Sequence, residues 1–296
     1  AVLPTISNGR YAPIAIDKNR TKWVPTINDG LLVFNDTYNN KTAVINVENG
    51  NLPDNDVRCV AIDNRNQLWI GTFKGLRILS SVDRFVSDTE FTTTSIIIQE
   101  GDLAQELFYQ QTILDIVVDG ANNKWVSIAD GGIFLVSSNG QETIYQFTKS
   151  NSPLPSNNVN DIEIDGVTGE VFFATDKGLV SFLGSATRGD DDLENVYIYP
   201  NPVRPNFNIV DEKVKIKDIS ENVNIKITDI EGNLVAEAQS KTNLRYRGYN
   251  LEIDGGTAYW NGKNLANNVV SSGVYLVMLS DLDTFETRVI KLMVVR

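Results

Sequence analysis

The sequence predicts an all-β chain. Four β-propeller blades fill residues 1–184, a linker follows at 185–195, and an Ig-like antiparallel β-sandwich occupies 196–296. Two observations carry this reading. One pattern recurs four times: an apolar strand ending in Asp, an aromatic strand, then Gly followed by an apolar strand. Its anchors are Trp23, Trp69, Trp125 and Phe172, spaced by 46, 56 and 47 residues. A period of that size with several short strands per unit is that of propeller blades. After Phe182 the pattern stops, and short alternating strands separated by turns take over.

Each repeat opens on a strand with apolar residues at alternate positions: Ile14 and Ile16, Val60 and Ile62, Ile116 and Val118, Ile162 and Ile164. Period two buries one face. The strands end at Asp17, Asp63, Asp119 and Asp165, each followed by Asn, Gly or Lys. Asp and Asn suit tight turns because they bond their own backbone. The aromatic anchors lie on the second strand and are expected in the core; carbohydrate platforms are the other role of such rings. A second hairpin follows at Gly30, Gly75, Gly132 and Gly178, where glycine supplies a positive φ. Third strands begin at Leu31, Leu76, Ile133 and Leu179, and fourth strands are predicted at 41–47 and 142–147. Leu52-Pro53-Asp54-Asn55-Asp56-Val57 and Leu154-Pro155-Ser156-Asn157-Asn158-Val159 cross from one blade to the next.

The longest interval holds an insertion, Gln99 to Phe108, with the composition of a short helix on a loop. Long loops on rigid scaffolds carry binding, which makes this the place for a function-specific feature. The linker is small and polar. Its Arg188-Gly189-Asp190 matches an adhesion tripeptide of a length that arises by chance, and Asp190-Asp191-Asp192 has no cation-ligand spacing behind it. In the sandwich, Val223, Ile225 and Ile227 alternate with polar residues, Asp229-Ile230-Glu231-Gly232-Asn233 turns the chain, and 273–279 with 288–295 form a closing hairpin.

Composition narrows the chemistry. There are 26 Lys and Arg against 38 Asp and Glu, a net charge of −12, with no dense basic run. A basic face for nucleic acid is therefore not expected. Histidine is absent, which removes the commonest general base and metal ligand. The single cysteine, Cys59, lies in a strand and reads as a small apolar filler. No apolar run reaches the ~20 residues that span a bilayer. Recurring Asp residues in every repeat are turn formers, since the same position in four blades cannot be one catalytic pair. No catalytic residue, cofactor or metal site is expected.

The Asp63 to Leu76 stretch, with its Leu68-Trp69-Ile70-Gly71-Thr72 core, resembles the two-component regulator propeller repeat. Tyr199-Pro200-Asn201-Pro202, Ile227 to Val235, Trp260-Asn261-Gly262-Lys263 and Ser272-Gly273-Val274-Tyr275 resemble the Ig-like domain of flagellar-hook assembly proteins. With the closing Ile290 to Arg296 they are also similar to C-terminal domains that address proteins to the type IX secretion system. Together the two resemblances imply a non-enzymatic surface scaffold of that system, exported to the outer membrane or cell surface, with the periplasm as alternative. The implied partners are proteins of the secretion and attachment machinery, and lipopolysaccharide or another glycan. Two other readings stand beside it: the ligand-sensing propeller of a two-component system, and a secreted cargo with a C-terminal sorting tag. Four repeats also lead us to expect the C-terminal part of a longer protein, an open arc that self-associates through exposed blade faces.

Overall fold

Each blade is organised from its first turn. One carboxylate oxygen caps it: Asp17 Oδ1 accepts from the backbone N–H of Asn19 and Thr21, and Asp63 Oδ1 from Arg65 and Gln67, all at 2.9 Å. Asp119 and Asp165 do the same for Ala121 and Val167. These are the Asx turns that the residue type favours. The structure, a computed structural model, describes residues 13–88, 91–100, 103–184 and 186–296.

The first blade contains β1 (Ala15–Ile16), β2 (Lys22–Pro25), β3 (Leu31–Asn35) and β4 (Lys41–Ile45), an antiparallel sheet in chain order, and is followed by the single-turn α1 (Val47–Gly50). The second contains β5 (Val57–Ile62), β6 (Leu68–Thr72) and β7 (Gly75–Leu79), then α2 (Arg84–Ser87) and a separate hairpin, β8 (Ile97–Glu100) with β9 (Leu103–Glu106). The third is β10 (Ile113–Val118), β11 (Lys124–Ile128), β12 (Gly132–Val136) and β13 (Thr143–Phe147). The fourth has three strands, β14 (Val159–Ile164), β15 (Glu170–Thr175) and β16 (Gly178–Leu183). A bulge recurs at one place in three blades, at Val57/Cys59, Ile113/Asp115 and Val159/Asp161.

The blades pack face to face through three successive cores. Trp23, Ile45, Leu68 and Ile70 join the first and second blades. Trp69, Ile113, Ile116 and Val126 join the second and third. Trp125, Ile133, Ile162 and Phe173 join the third and fourth. Among the described residues no core joins the fourth blade to the first: Leu179 and Leu183 are 66% and 73% exposed, and Ile14 and Ile16 are 53% and 61% exposed. Among the described residues the four blades form an open arc.

The inter-blade connections plug these seams. Leu52 and Leu154 are buried. Asn55 and Asn157 place their carbonyls on the N–H of Gly30 and Gly132, at 2.9 and 3.2 Å. Gly30 and Gly132 have φ of +88° and +85°, and a Cβ on either would lie within 2.2 Å of a carbonyl oxygen, so no other residue fits there.

The chain divides into two units: residues 1–118, 122–164 and 171–182, and residues 119–121, 165–170 and 183–296. The second is dominated by two four-stranded antiparallel sheets over a single core. One orders β17 (Tyr197–Tyr199), β18 (Val214–Lys217), β22 (Thr257–Trp260) and β21 (Leu251–Asp254); α3 (Ile209–Glu212) precedes β18. The other orders β20 (Leu234–Gln239), β19 (Val223–Asp229), β23 (Gly273–Asp281) and β24 (Thr287–Val294). Val223, Ile225 and Ile227 are fully buried while Lys226 between them is exposed, as period two requires. The stretch expected to be a linker is partly built into this unit. Leu193 is fully buried in its core, and the Asp190 N–H donates to Ile219 O at 3.0 Å.

Candidate functional site

The insertion between the second and third anchors was expected to form a short helix, and it does not. Its described residues form the β8–β9 hairpin, paired Ile97↔Glu106, Ile98↔Gln105, Gln99↔Ala104 and Glu100↔Leu103; Gly101 and Asp102 lie outside the described residues. The physical reason stands just upstream. Ile96-Ile97-Ile98 is a run of three β-branched residues, which favours a strand over a helix.

The hairpin is tied firmly at its base. Leu107 is buried, and its N–H donates to Ile96 O at 2.8 Å. Ile96, Ile98 and Phe108 pack on the core between the second and third blades, where the Phe108 ring meets Phe134 edge-on at 5.3 Å. Arg77 of β7 forms an ion pair with Glu106 and donates from Nε to Asn51 O at 3.0 Å. Beside the hairpin base lies the β6–β7 turn. The Thr112 hydroxyl donates to Phe73 O at 2.9 Å, and the Arg58 guanidinium stands 5.2 Å from the Phe73 ring. Lys74 holds Asp54 at 2.9 Å; burial pushes that carboxyl up, but the Asp56 N–H and Lys74 outweigh it and keep it below the usual range.

This rigid base carries large apolar side chains in the open. Ile97, Leu103, Tyr109 and Phe73 are 53%, 75%, 60% and 44% exposed. Apolar groups held out on a fixed frame suit contact with another protein. Sequence reasoning expected a function-specific feature here and missed the strand character of the segment, although the β-branched run was the signal.

The predicted anchors are distributed one per blade. Trp23, Trp69 and Trp125 are buried in the three inter-blade cores. Phe172 has the same register, opposite Glu163 as Trp69 is opposite Ala61, but is half-buried. The aromatic ring buried on that strand is Phe173, which packs in the core shared with the third blade and meets Trp125 at 5.4 Å. The recurring Asp residues also sit one per blade, and two of them bond their own blade's indole: Trp23 Nε1 donates to Asp17 Oδ2 at 3.2 Å, and Trp69 Nε1 to Asp63 Oδ2 at 3.4 Å.

Lys124 is the buried group that the sequence reading did not single out. Its ammonium is fully enclosed and lies 4.6 Å from the centre of the Trp69 ring. The signal was a lysine directly before an anchor tryptophan, at a core register of the strand. One carboxyl is pushed strongly upward. Asp115 occupies the recurring bulge, and burial raises it to about 6, with Asp161 and Glu163 adding repulsion against the bonds it accepts from the N–H groups of Ile162 and Ile116.

The family comparisons fall on these same units. The C-terminal unit resembles a secretion system C-terminal sorting domain. Its family model matches residues 197–255, from the first residue of β17 to just past β21. A two component regulator propeller model matches residues 51–74, the copy that holds Leu52, Asp63 and Trp69. Among solved structures the chain is similar to PorZ, described as an essential bacterial surface component of the type-IX secretion system of Porphyromonas gingivalis, at 26% identity and a TM-score of 0.58. That likeness covers 96% of this chain and 38% of the PorZ chain, so this chain spans well under half of the PorZ length. An extracellular domain assigned to a hybrid two component system of B. thetaiotaomicron aligns at 13% identity and a TM-score of 0.42, over 98% of this chain and 56% of its own. No curated protein matches the chain. Among the described residues no helix is long and apolar enough to cross a membrane.

Proposed function

We propose that this chain acts as a non-catalytic scaffold of the type IX secretion apparatus at the bacterial surface, working with its outer-membrane attachment machinery. The observation that carries the reading is the sorting-domain match at 197–255 in one chain with propeller blades, the arrangement in which the chain is also similar to PorZ. The apolar hairpin surface of Ile97, Leu103, Tyr109 and Phe73 is the part that contacts a protein partner. The carboxylates of Asp17, Asp63 and Asp115 are occupied in turns and inter-blade bonds, which supports a binding role over a chemical one.

Localisation tests the reading. The chain, fused behind an export signal and expressed in a bacterium that has a type IX system, should be open to protease on intact cells and lose that exposure when the translocon is deleted. Retention inside the envelope in both strains would overturn it. A second reading is favoured by the same match: the domain is a tag on a secreted cargo. Mass spectrometry of the mature protein separates the two, because a tag is removed and a scaffold domain stays.

A further inference from the structure

We propose that the outer face of the β17–β18–β22–β21 sheet docks an extended, acidic segment of a partner protein. Such docking is separate from the secretion role and does not rest on it. Strand alternation sends Ile198, Ile216, Ala258 and Ile253 into the core of the C-terminal unit and their neighbours outward. The register sets those neighbours in two rows. Tyr197 stands opposite Lys217, which stands opposite Thr257. Tyr199 stands opposite Lys215, which stands opposite Tyr259. One Tyr–Lys pair is thus repeated at the spacing of alternate strand residues, about 7 Å. Tyr197 and Tyr199 are 46% and 63% exposed, Lys215 is exposed and Lys217 half-buried.

Charge sets the occupant. The chain carries a net −12, yet this face is basic. Its two carboxylates, Glu252 and Asp254, are buried opposite Tyr259 and Thr257, and each is held by a cation, Lys213 at 2.9 Å and Arg245 at 2.8 Å. Lys215 and Lys217 form no ion pair among the described residues. Asp218, just past β18, lines a different cavity with Asp190 and Asp191. The Arg245 guanidinium lies over Tyr259 and beside Tyr246, so four of the chain's ten tyrosines gather on or beside the two lysines. Tyrosine and arginine are the residues that dominate the centres of protein interfaces. The planar fork that favours phosphate is taken up by Asp254, and the cations left are ammonium groups, each suited to a single carboxylate. An extended chain with an acid at every second position repeats at the same ~7 Å. Each of its carboxylates meets one lysine, and its intervening backbone crosses one exposed tyrosine.

Calorimetric titration of the 296-residue chain tests this, with a ten-residue peptide of alternating Thr and Glu as the probe. The peptide should bind, with amide shifts in nuclear magnetic resonance centred on residues 197–199 and 214–217. Added salt should weaken the binding in the unaltered protein. A peptide with the same Glu residues in one block should bind at least fivefold more weakly, because its carboxylates miss the two-residue period. Alternating Thr and Lys should not bind. Lys215→Glu combined with Lys217→Glu should weaken binding at least tenfold, and Tyr199→Ser at least threefold; none of these side chains lies in the core. No binding at millimolar peptide, equal binding of the block peptide, or binding unchanged by the lysine substitutions would overturn the proposal. Polygalacturonate that binds as tightly per carboxylate as the peptide would assign the face to an anionic glycan and overturn the partner proposed.

Discussion

Lys124 Nζ lies 2.9 Å from Asp63 Oδ2, and both side chains are fully buried. The pair joins the third blade to the second. The ammonium also donates to the carbonyls of Asn122 and Ser138, at 2.8 Å each, so its three hydrogens are used. Burial pushes the Asp63 carboxyl up, but Lys124 and the N–H groups of Gln67 and Arg65 outweigh it and hold it below the usual range. Removing one partner leaves a buried charge alone, which costs about 3–5 kcal/mol. Lys124→Met should therefore destabilise the propeller unit by that order in urea unfolding. The Asp63 contribution is present above the ordinary carboxylate pKa and is lost as pH falls through the depressed folded value. In the variant the lone buried carboxyl is relieved by protonation as pH falls, so the two proteins should converge in stability in acid.

Phe172 and Phe173 are neighbours with opposite fates. Phe173 is 2% exposed against the third blade, whereas Phe172 alternates to the other face, where among the described residues no further blade packs. Phe173→Ala should cost about 3–5 kcal/mol, and Phe172→Ala under about 1 kcal/mol. Trp69→Ala should match the larger figure, since Trp69 fills the seam between the second and third blades. Differential scanning calorimetry ranks the three; equal losses at Phe172 and Phe173 would refute the assignment of faces.

Asp115 gives the chain a pH dependence of opposite sign. Its folded pKa of about 6 lies above the unfolded value near 3.9. The folded state holds the extra proton, so stability falls as pH rises from about 4 to about 6, by roughly 3 kcal/mol from this group. Asp115→Asn should remove that slope. Denaturation of both proteins between pH 4 and 7 should show their stability difference moving in favour of the variant as pH rises; parallel curves would exclude the effect.

Arg245 anchors an outer face of the sandwich. Its guanidinium lies 4.0 Å from the centre of the Tyr259 ring and 4.7 Å from that of Tyr246, and donates to Asp254 at 2.8 Å. Lysine cannot stack and fork in this way. Arg245→Lys should lower the stability of the C-terminal unit by about 1–2 kcal/mol, read from its own unfolding transition.

The blades were legible in the sequence because their signals are local. An Asp with its turn, a tryptophan two strands' register away and a hairpin glycine all lie within about a dozen residues of one another. What escaped depends on distance or on neighbours. Lys124 and Asp63 are 61 positions apart, and no local pattern links them. Phe172 has the right register, but among the described residues no blade packs against it, which only the assembled blades reveal. In the insertion, the polar Gln and Glu residues of β9 hid a strand that the preceding isoleucines announced.

The Asp of each turn has a consequence for how such a chain grows. In the first two blades one carboxylate oxygen closes the turn while the other holds the indole that the next blade packs against. A duplicated repeat thus arrives carrying its own fold and its own adhesive for the following copy. At the second blade the neighbour contributes too, because Asp63 Oδ2 also receives Lys124 of the third. The number of blades can then drift by whole repeats over evolution, and an engineer could splice repeats in or out at the Leu-Pro crossings, where the chain already passes from one self-sufficient module to the next.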